Sequence, residues 1–569
     1  MKPNAMLIAG FLTALTMLIV SGCWCGKETP THEGDGARGD THPGGTLNEV
    51  NEYESYDAPA SGNGTKTQSS RAMGAKLEYA AAPAMTTGAM LGQDDEGTPS
   101  PDSTTLSVTT VEPSVWTINP DHFQQTVPNG FENAAKDHLS TFSIDVDTGS
   151  YTLCRKALES DGEIFSAAVR VEEWVNYFDY GYDTPTDAPF AVHIDAAPSP
   201  VAKDRIALRI GVQGKHLSES ERKAVHLTFL ADVSGSMDSE DKLHLAQQAM
   251  KRLVENLHKG DTVALATYAG WVAKLLDPTD VSDRKKIFAA IDKLTAGGST
   301  AMSSGIDLAY QMADAAYVAG DVNRVIILSD GDANVGPASH TEILKQIKSY
   351  ADKNITLTTL GVGNMGWGYN DQMMEQLADA GNGNYFFIDC MAEADRVFGD
   401  KLTGALEVIA KDVKIQVDFN PALVASYRLV GYENRAIADK DFANDFVDAG
   451  EIGAGHTVTA VYEVILRDAK PSTDADTKIL IARLRHKEPE GTVSELTEYP
   501  FEFDKIGKDF SAMPADFRMA VSVAYAADIL REGPTKEVAK LADIIPLAEN
   551  AAAGDDIRAE FVGLMKKIK

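Results

Sequence analysis

The chain has 569 residues, more than one domain usually holds, and 44% of them are hydrophobic, enough for sizeable cores. Its formal net charge of −32 repels phosphate backbones and bare anionic lipid, which argues against nucleic acid as a partner. The same acidity attracts cations only diffusely; it serves solubility and is no evidence for a metal site.

Lys2 precedes an apolar run from Met6 to Val20, shorter than the roughly 20 residues a membrane helix needs. It fits the h-region of a secretory signal peptide, and no other stretch is long and apolar enough to span a bilayer. The run ends in Val20-Ser21-Gly22-Cys23, which resembles a bacterial lipobox. The resemblance implies cleavage after Gly22, a diacylglycerol thioether on Cys23 and an acylated new N-terminus. Several acyl chains give stable anchoring where one does not. Trp24 is not the aspartate that would imply inner-membrane retention. By that resemblance Trp24 favours the outer membrane; the expected location is the cell membrane or outer membrane, lipid-anchored and facing periplasm or exterior. Three further cysteines, Cys25, Cys154 and Cys390, form neither a CxxC pair nor a zinc pattern. Cys154 and Cys390 read as separate buried thiols, with a bridge as the alternative. Residues 23–120 are rich in Gly, Thr, Ser, Pro and Asp and read as a disordered tether. The tripeptide Arg38-Gly39-Asp40 within it is a low-complexity coincidence.

Folded sequence begins near Asp121, and 121–221 reads as an α+β segment. Thr141 to Asp147 alternates like a strand, helices are expected at Tyr151–Leu158 and Val169–Phe178, and strands at Phe190–Ile194 and Arg205–Val212. Asp145 and Asp147 lack the glycine and glutamate spacing of an EF-hand.

Between 222 and 405 strands and helices alternate. Val225–Leu230 is an apolar strand. Leu243, Met250, Leu253 and Leu257 mark a helix. Further strands are expected at Asp261–Tyr268, Trp271–Leu276, Arg324–Leu328, Ile355–Gly361 and Asn384–Ile388, with helices at Lys285–Leu294, Gly305–Tyr317 and Asp371–Ala380. That order implies an α/β fold with a doubly wound, mostly parallel sheet, whose ligands sit beyond the carboxyl ends of the strands. Those ends carry Asp232-Val233-Ser234-Gly235-Ser236, Gly297-Gly298-Ser299-Thr300 and Ser329-Asp330-Gly331. Two carboxylates and three hydroxyls thus gather at one edge, hard oxygen donors suited to Mg²⁺ or Mn²⁺ rather than zinc. Gly361-Val362-Gly363-Asn364-Met365-Gly366 matches GxGxxG but is followed by more loop, so no nucleotide is expected. His226 and His244 read as packing residues.

Asp-x-Ser-x-Ser, a later Thr and a strand-end Asp-Gly resemble the metal-ion-dependent adhesion site of von Willebrand factor type A (VWA) domains, with Asp232, Ser234, Ser236, Thr300 and Asp330 filling all five positions. The resemblance implies that the hydroxyls contact a divalent ion directly or through water. It implies the same of the aspartates, with one coordination position open to an acidic side chain of a protein partner. The cofactor it implies is Mg²⁺, with Mn²⁺ or Ca²⁺ as alternatives.

Residues 406–510 return to strand texture, at Val413–Phe419, Tyr427–Val430, Thr457–Leu466, Lys478–Leu484 and Tyr499–Phe503. With the earlier strands they suggest one β-sandwich-like domain into which the VWA domain is inserted. Residues 511–569 read as helical, with an apolar stripe of Ala520, Val523, Ala527 and Leu530. Thr141–Tyr151, Val169–Tyr180, Leu429–Ala438 and Asp448–Val464 resemble the flanks of bacterial VWA-domain lipoproteins; Tyr432–Arg435 suggests a structural corner. The sequence therefore points to a non-enzymatic, membrane-anchored lipoprotein that binds a protein through a divalent metal. The alternatives are an envelope lipoprotein whose metal only stabilises the fold, and a metal-dependent hydrolase, for which no general base stands at a recognisable spacing.

Overall fold

The computed structural model describes residues 122–569 apart from 161–162, 219, 332–338, 364–368, 401–403, 405, 469–476 and 569. The signal segment, Cys23 with its lipid, and the tether lie outside the described residues.

The chain first forms strands β1 (Glu132–Asn133) and β2 (Leu139–Ser143), helices α1 (Gly149–Glu159) and α2 (Val171–Tyr177), and strands β3 (Phe190–Pro198) and β4 (Ile206–Gly214). Next come β5 (Val225–Asp232), α3 (Leu245–Asn256), β6 (Thr262–Tyr268), β7 (Val272–Asp280), α4 (Arg284–Ile291) and α5 (Met302–Ala315). They are followed by β8 (Val322–Ser329), α6 (His340–Ala351), β9 (Ile355–Val362), α7 (Asp371–Ala380), β10 (Tyr385–Ile388) and α8 (Met391–Asp395). The last part holds β11 (Val408–Phe419), β12 (Val424–Val430), β13 (Gly450–Gly453), β14 (Thr457–Leu466), β15 (Lys478–Lys487) and β16 (Ser494–Glu502). Helices α9 (Ala515–Leu530), α10 (Leu541–Ala551) and α11 (Asp556–Lys567) end it.

The middle strands make one sheet in the order β10-β9-β8-β5-β6-β7, parallel except for the β6–β7 hairpin. Alternate residues of β5 serve opposite faces, as the pleat requires. Leu227 and Phe229 face α3 and α4, where Ala249, Leu253 and Ile287 are buried. Leu230 belongs to the other face with Ile306 and Tyr310 of α5 and Ile347 of α6. Burial on both faces explains why these strands read as continuous apolar runs. α6 falls outside the helices expected from the sequence, although Ser339 and Glu342 form a capping box there.

The strands before β5 and after β10 belong together. One antiparallel sheet runs β1-β12-β14-β4-β3, and another runs β13-β11-β15-β16, with β2 sharing the outer edge of β11 with β13. Their inner faces meet through Leu208, Ile210, Ile415, Val417, Tyr462 and Leu484. The doubly wound domain is thus inserted into a β-sandwich between β4 and β11. Its entry and exit are held side by side, since the Lys223 amide donates to Glu407 Oε1 at 3.3 Å. On the outer face of the first sheet lies α9, buried at every residue from Met519 to Asp528. A single stripe therefore understates this helix, which is covered all round by α2, α10 and the sheet.

Ion pairs fix the parts to one another. Arg428 of β12 and Glu463 of β14 pair at 2.6 Å, and Arg428 also reaches Asp528 of α9 at 3.1 Å, all three fully buried. Arg435 follows Tyr432, whose φ of 63° makes the corner, and reaches Asp145 at 3.1 Å and Asp379 of α7 at 2.8 Å. Asp147 accepts the Tyr385 amide of β10 at 2.9 Å, and Arg170 pairs with Asp371 of α7 and Glu173 of α2. Asp145, Asp147 and Tyr432–Arg435 thus clamp the sandwich to the inserted domain. Cys154 is a buried free thiol and is not bridged to Cys390.

Asp528→Ala is expected to cost about 3–5 kcal/mol of unfolding free energy in a urea titration, because it leaves buried Arg428 short of a carboxylate. A second expectation concerns pH. Burial, partly offset by Arg170 and Arg435, pushes the Glu375 carboxyl up to about 8. Burial likewise pushes Glu173, against Arg170, and Glu172, with Glu433 adding to it, up to about 7. These values are raised on folding, so the native state binds more protons than the unfolded one and stability falls as pH rises through them. The melting temperature should drop as pH rises from about 4.5 to about 8, and Glu375→Gln should flatten that slope.

Candidate metal centre

Three strands deliver the site residues to one edge: β5 ends in Asp232, β6 in Tyr268 and β8 in Ser329, with Asp330 next. The Asp232 side chain is fully buried. Its Oδ1 accepts the Ser234 amide at 2.9 Å, and its Oδ2 accepts the Tyr268 and Ser329 hydroxyls, each at 2.9 Å. Burial holds this carboxyl above its ordinary range, the Ser234 hydrogen bonds work against the rise, and the Asp330 charge adds to it.

The loops after the strands are fastened to each other. Gly235 donates from its amide to the Gly298 carbonyl at 3.0 Å, and Gly297 donates to the Val233 carbonyl at 2.8 Å. Gly298 takes a φ of +89°, the left-handed region open to glycine. Thr300, half-buried, comes two residues later, ahead of α5. Gly331 has a φ of +73°, and a Cβ there would lie 2.5 Å from the Tyr369 ring and 2.8 Å from the Asn370 amide nitrogen. The Asn370 amide donates to the Gly331 carbonyl at 3.1 Å, so the Asp330 turn is seated against the start of α7.

The structure thus joins Asp232, Ser234 and Ser236 through a hydrogen-bonded chain, places Asp330 beside them, and brings the Thr300 loop in by its backbone. Among the described residues no three His, Cys, Asp or Glu side chains converge as metal ligands, so a cation here would depend on hydroxyls as well as carboxylates. The donor set fits such an ion. Adjacent ligands of an octahedral Mg²⁺ at about 2.1 Å sit about 3.0 Å apart. Ser234 Oγ and Ser236 Oγ are hydrogen-bonded to each other at 3.0 Å, so both hydroxyls stand on the same side, and that spacing is compatible with neighbouring ligand positions.

Two neighbours were not read from the sequence. Tyr268 braces Asp232, and Lys242 sends its ammonium to Asp330 Oδ2 at 2.8 Å and to the Ser236 carbonyl at 2.9 Å. A tyrosine at a strand end and a lysine after a loop carry no pattern of their own. His226 bonds Thr262 and Asp321 at the opposite end of β5, and His244 bonds Gln248, so neither enters the site. The GxGxxG segment leaves β9 at Gly363, and α7 starts only at Asp371; the rest of the motif lies outside the described residues. The polar cavity of about 430 Å³ around Asp145, Asp379 and Arg435 contains none of the five site residues.

Residues 226–399 match the von Willebrand factor type A domain family, which defines the inserted domain as a VWA domain. Residues 117–209 match the von Willebrand factor family, and residues 404–569 match the C-terminal family of the uncharacterized protein YfbK. The Escherichia coli protein of that name is 37% identical over 468 residues, covering 78% of this chain and 80% of its own length. The chain belongs to the YfbK family. A UPF0353 protein of Mycolicibacterium vanbaalenii is 28% identical over 201 residues, covering 31% of this chain and 59% of its own. A solved von Willebrand factor type A structure from Catenulispora acidiphila covers 67% of this chain and 91% of its own, at 17% identity and a TM-score of 0.40.

Gly331→Ala is expected to destabilise the protein by about 1–3 kcal/mol, because it places a side chain in the left-handed region against Tyr369. Thermal denaturation beside an exposed glycine control at Gly320, which has nothing within 4 Å, checks the packing contribution.

Proposed function

We propose that this protein is a lipid-anchored envelope protein that binds a partner protein through a divalent ion held by Asp232, Ser234, Ser236, Thr300 and Asp330. The carrying observation is the convergence of two serine hydroxyls, hydrogen-bonded to each other, with the buried Asp232 carboxylate at the end of the central strand and Asp330 beside it. Mg²⁺ suits this all-oxygen set, with Mn²⁺ close in size and Ca²⁺ needing more ligands. The partner supplies an aspartate or glutamate as the last ligand, because a partly hydrated dication with an exchangeable position receives a carboxylate readily. Asp232 has both oxygens engaged by protein donors, which suits contact through Oδ1 or a bridging water. Anchoring rests on the apolar run and the Val20–Cys23 lipobox resemblance; among the described residues no helix is long and apolar enough to cross a membrane.

Calorimetric titration of Mg²⁺ and Mn²⁺ into the full chain in detergent should give one saturable site, absent in Asp232→Ala. With Mn²⁺ bound, a short glutamate-containing peptide should lower water proton relaxation by replacing a metal-bound water. A native chain that takes up no ion, or binds equally after Asp232→Ala, would falsify the metal assignment; bound Mn²⁺ indifferent to the peptide would leave a stabilising metal and remove the partner carboxylate.

A further inference from the structure

The site already contains a positive charge. Lys242 lies in the π-turn Glu240–His244 that leads from the Asp232 loop into α3. Its Nζ spans two parts of the site, bonding Asp330 Oδ2 at 2.8 Å and the Ser236 carbonyl at 2.9 Å. The Asp330 side chain is 2% exposed and that of Lys242 20%, so the pair is shielded while the lysine keeps some access to solvent. The lysine stem crosses Gly363, whose φ is +100°; a Cβ at that position would lie 2.8 Å from Lys242 Cγ. A π-turn, a side-chain-free crossing point and two acceptors on different loops therefore aim one ammonium at one carboxylate.

A dication bound at Asp330 and an ammonium 2.8 Å from the same oxygen would repel one another strongly in so shielded a place. Both also satisfy the same need, which is to neutralise Asp330 beside Asp232. We propose that Lys242 is the resident counter-cation of this site and competes with the divalent ion for Asp330. The ion enters as the ammonium leaves, and the lysine holds the Asp330 turn in place when no ion is bound. This rests on the reading of the site as a divalent-ion site. It adds that the native chain binds its ion weakly for such a donor set, and reversibly, because each binding event displaces an internal cation.

Lys242→Met removes the charge and keeps the length; Lys242→Arg keeps the charge. Mn²⁺ binding to the full chain in detergent is read by electron paramagnetic resonance of the free ion, and folding by melting temperature in chelator. Lys242→Met should bind Mn²⁺ at least ten-fold tighter than the native chain, melt lower in chelator, and recover on adding Mn²⁺, while Lys242→Arg stays near native affinity. Equal or weaker Mn²⁺ binding by a folded Lys242→Met overturns the competition and leaves the metal site standing. Absence of Mn²⁺ binding in native chain and variant alike overturns both.

Discussion

Asp232 is a carboxylate with no exposed surface at the end of the central strand, and such a group persists only where its oxygens are supplied with donors. The donors come from three places: the Tyr268 hydroxyl of β6, the Ser329 hydroxyl of β8 and the Ser234 amide of its own loop. Each ties a neighbouring strand end or loop to the same point. The edge of the sheet is thereby set to the spacing that the Ser234–Ser236 pair and the Asp330 turn require. Tyr268 shows the depth of this arrangement: burial, with the Asp232 charge beside it, pushes its hydroxyl far above the ordinary range, so it stays a donor.

A second layer of charge joins the inserted domain to the sandwich. Arg170 and Arg435 stand among Asp145, Asp147, Glu173, Asp371 and Glu375, more carboxylates than guanidinium groups. Burying unlike charges returns little net stability, but removing one partner is costly. Such a network therefore favours one relative placement of the two domains over others. Tyr369 and Tyr385 carry it toward the candidate metal centre: their hydroxyls lie 2.7 Å apart, Tyr385 donates to Asp371 at 2.8 Å, and Tyr369 backs the Gly331 turn.

The alternation of strands and helices from Val225 to Ile388 was plain in the sequence because a doubly buried sheet writes its strands as unbroken apolar runs. The loops to search followed from that order, and so did the neighbourhood of Asp232, Ser234, Ser236 and Asp330. Lys242 did not, since the Ser236 carbonyl and the Asp330 carboxylate that it joins lie on different loops and meet only in the fold. The arginine clamps did not either: Arg435 and Asp145 are 290 positions apart, and no local periodicity links them. The corner at Tyr432 could be noticed but not interpreted, because its meaning lies in what it touches. The pairing of β4 with β14 across the inserted domain likewise shows only in three dimensions.

The insertion has a mechanical consequence. The domain is rooted at the start of β5, beside Lys223 and Glu407, while Asp232 and its neighbours stand at the other end of that strand. β5 is flanked on both sides by parallel partners, β6 and β8. A load drawn between root and tip therefore runs along the strand and strains both ladders in shear, all rungs together, instead of peeling them one at a time. With two chain crossings at the root, the domain also cannot swivel freely about a single backbone bond. A load applied at the tip is thus coupled to the root stiffly in tension and torsion alike.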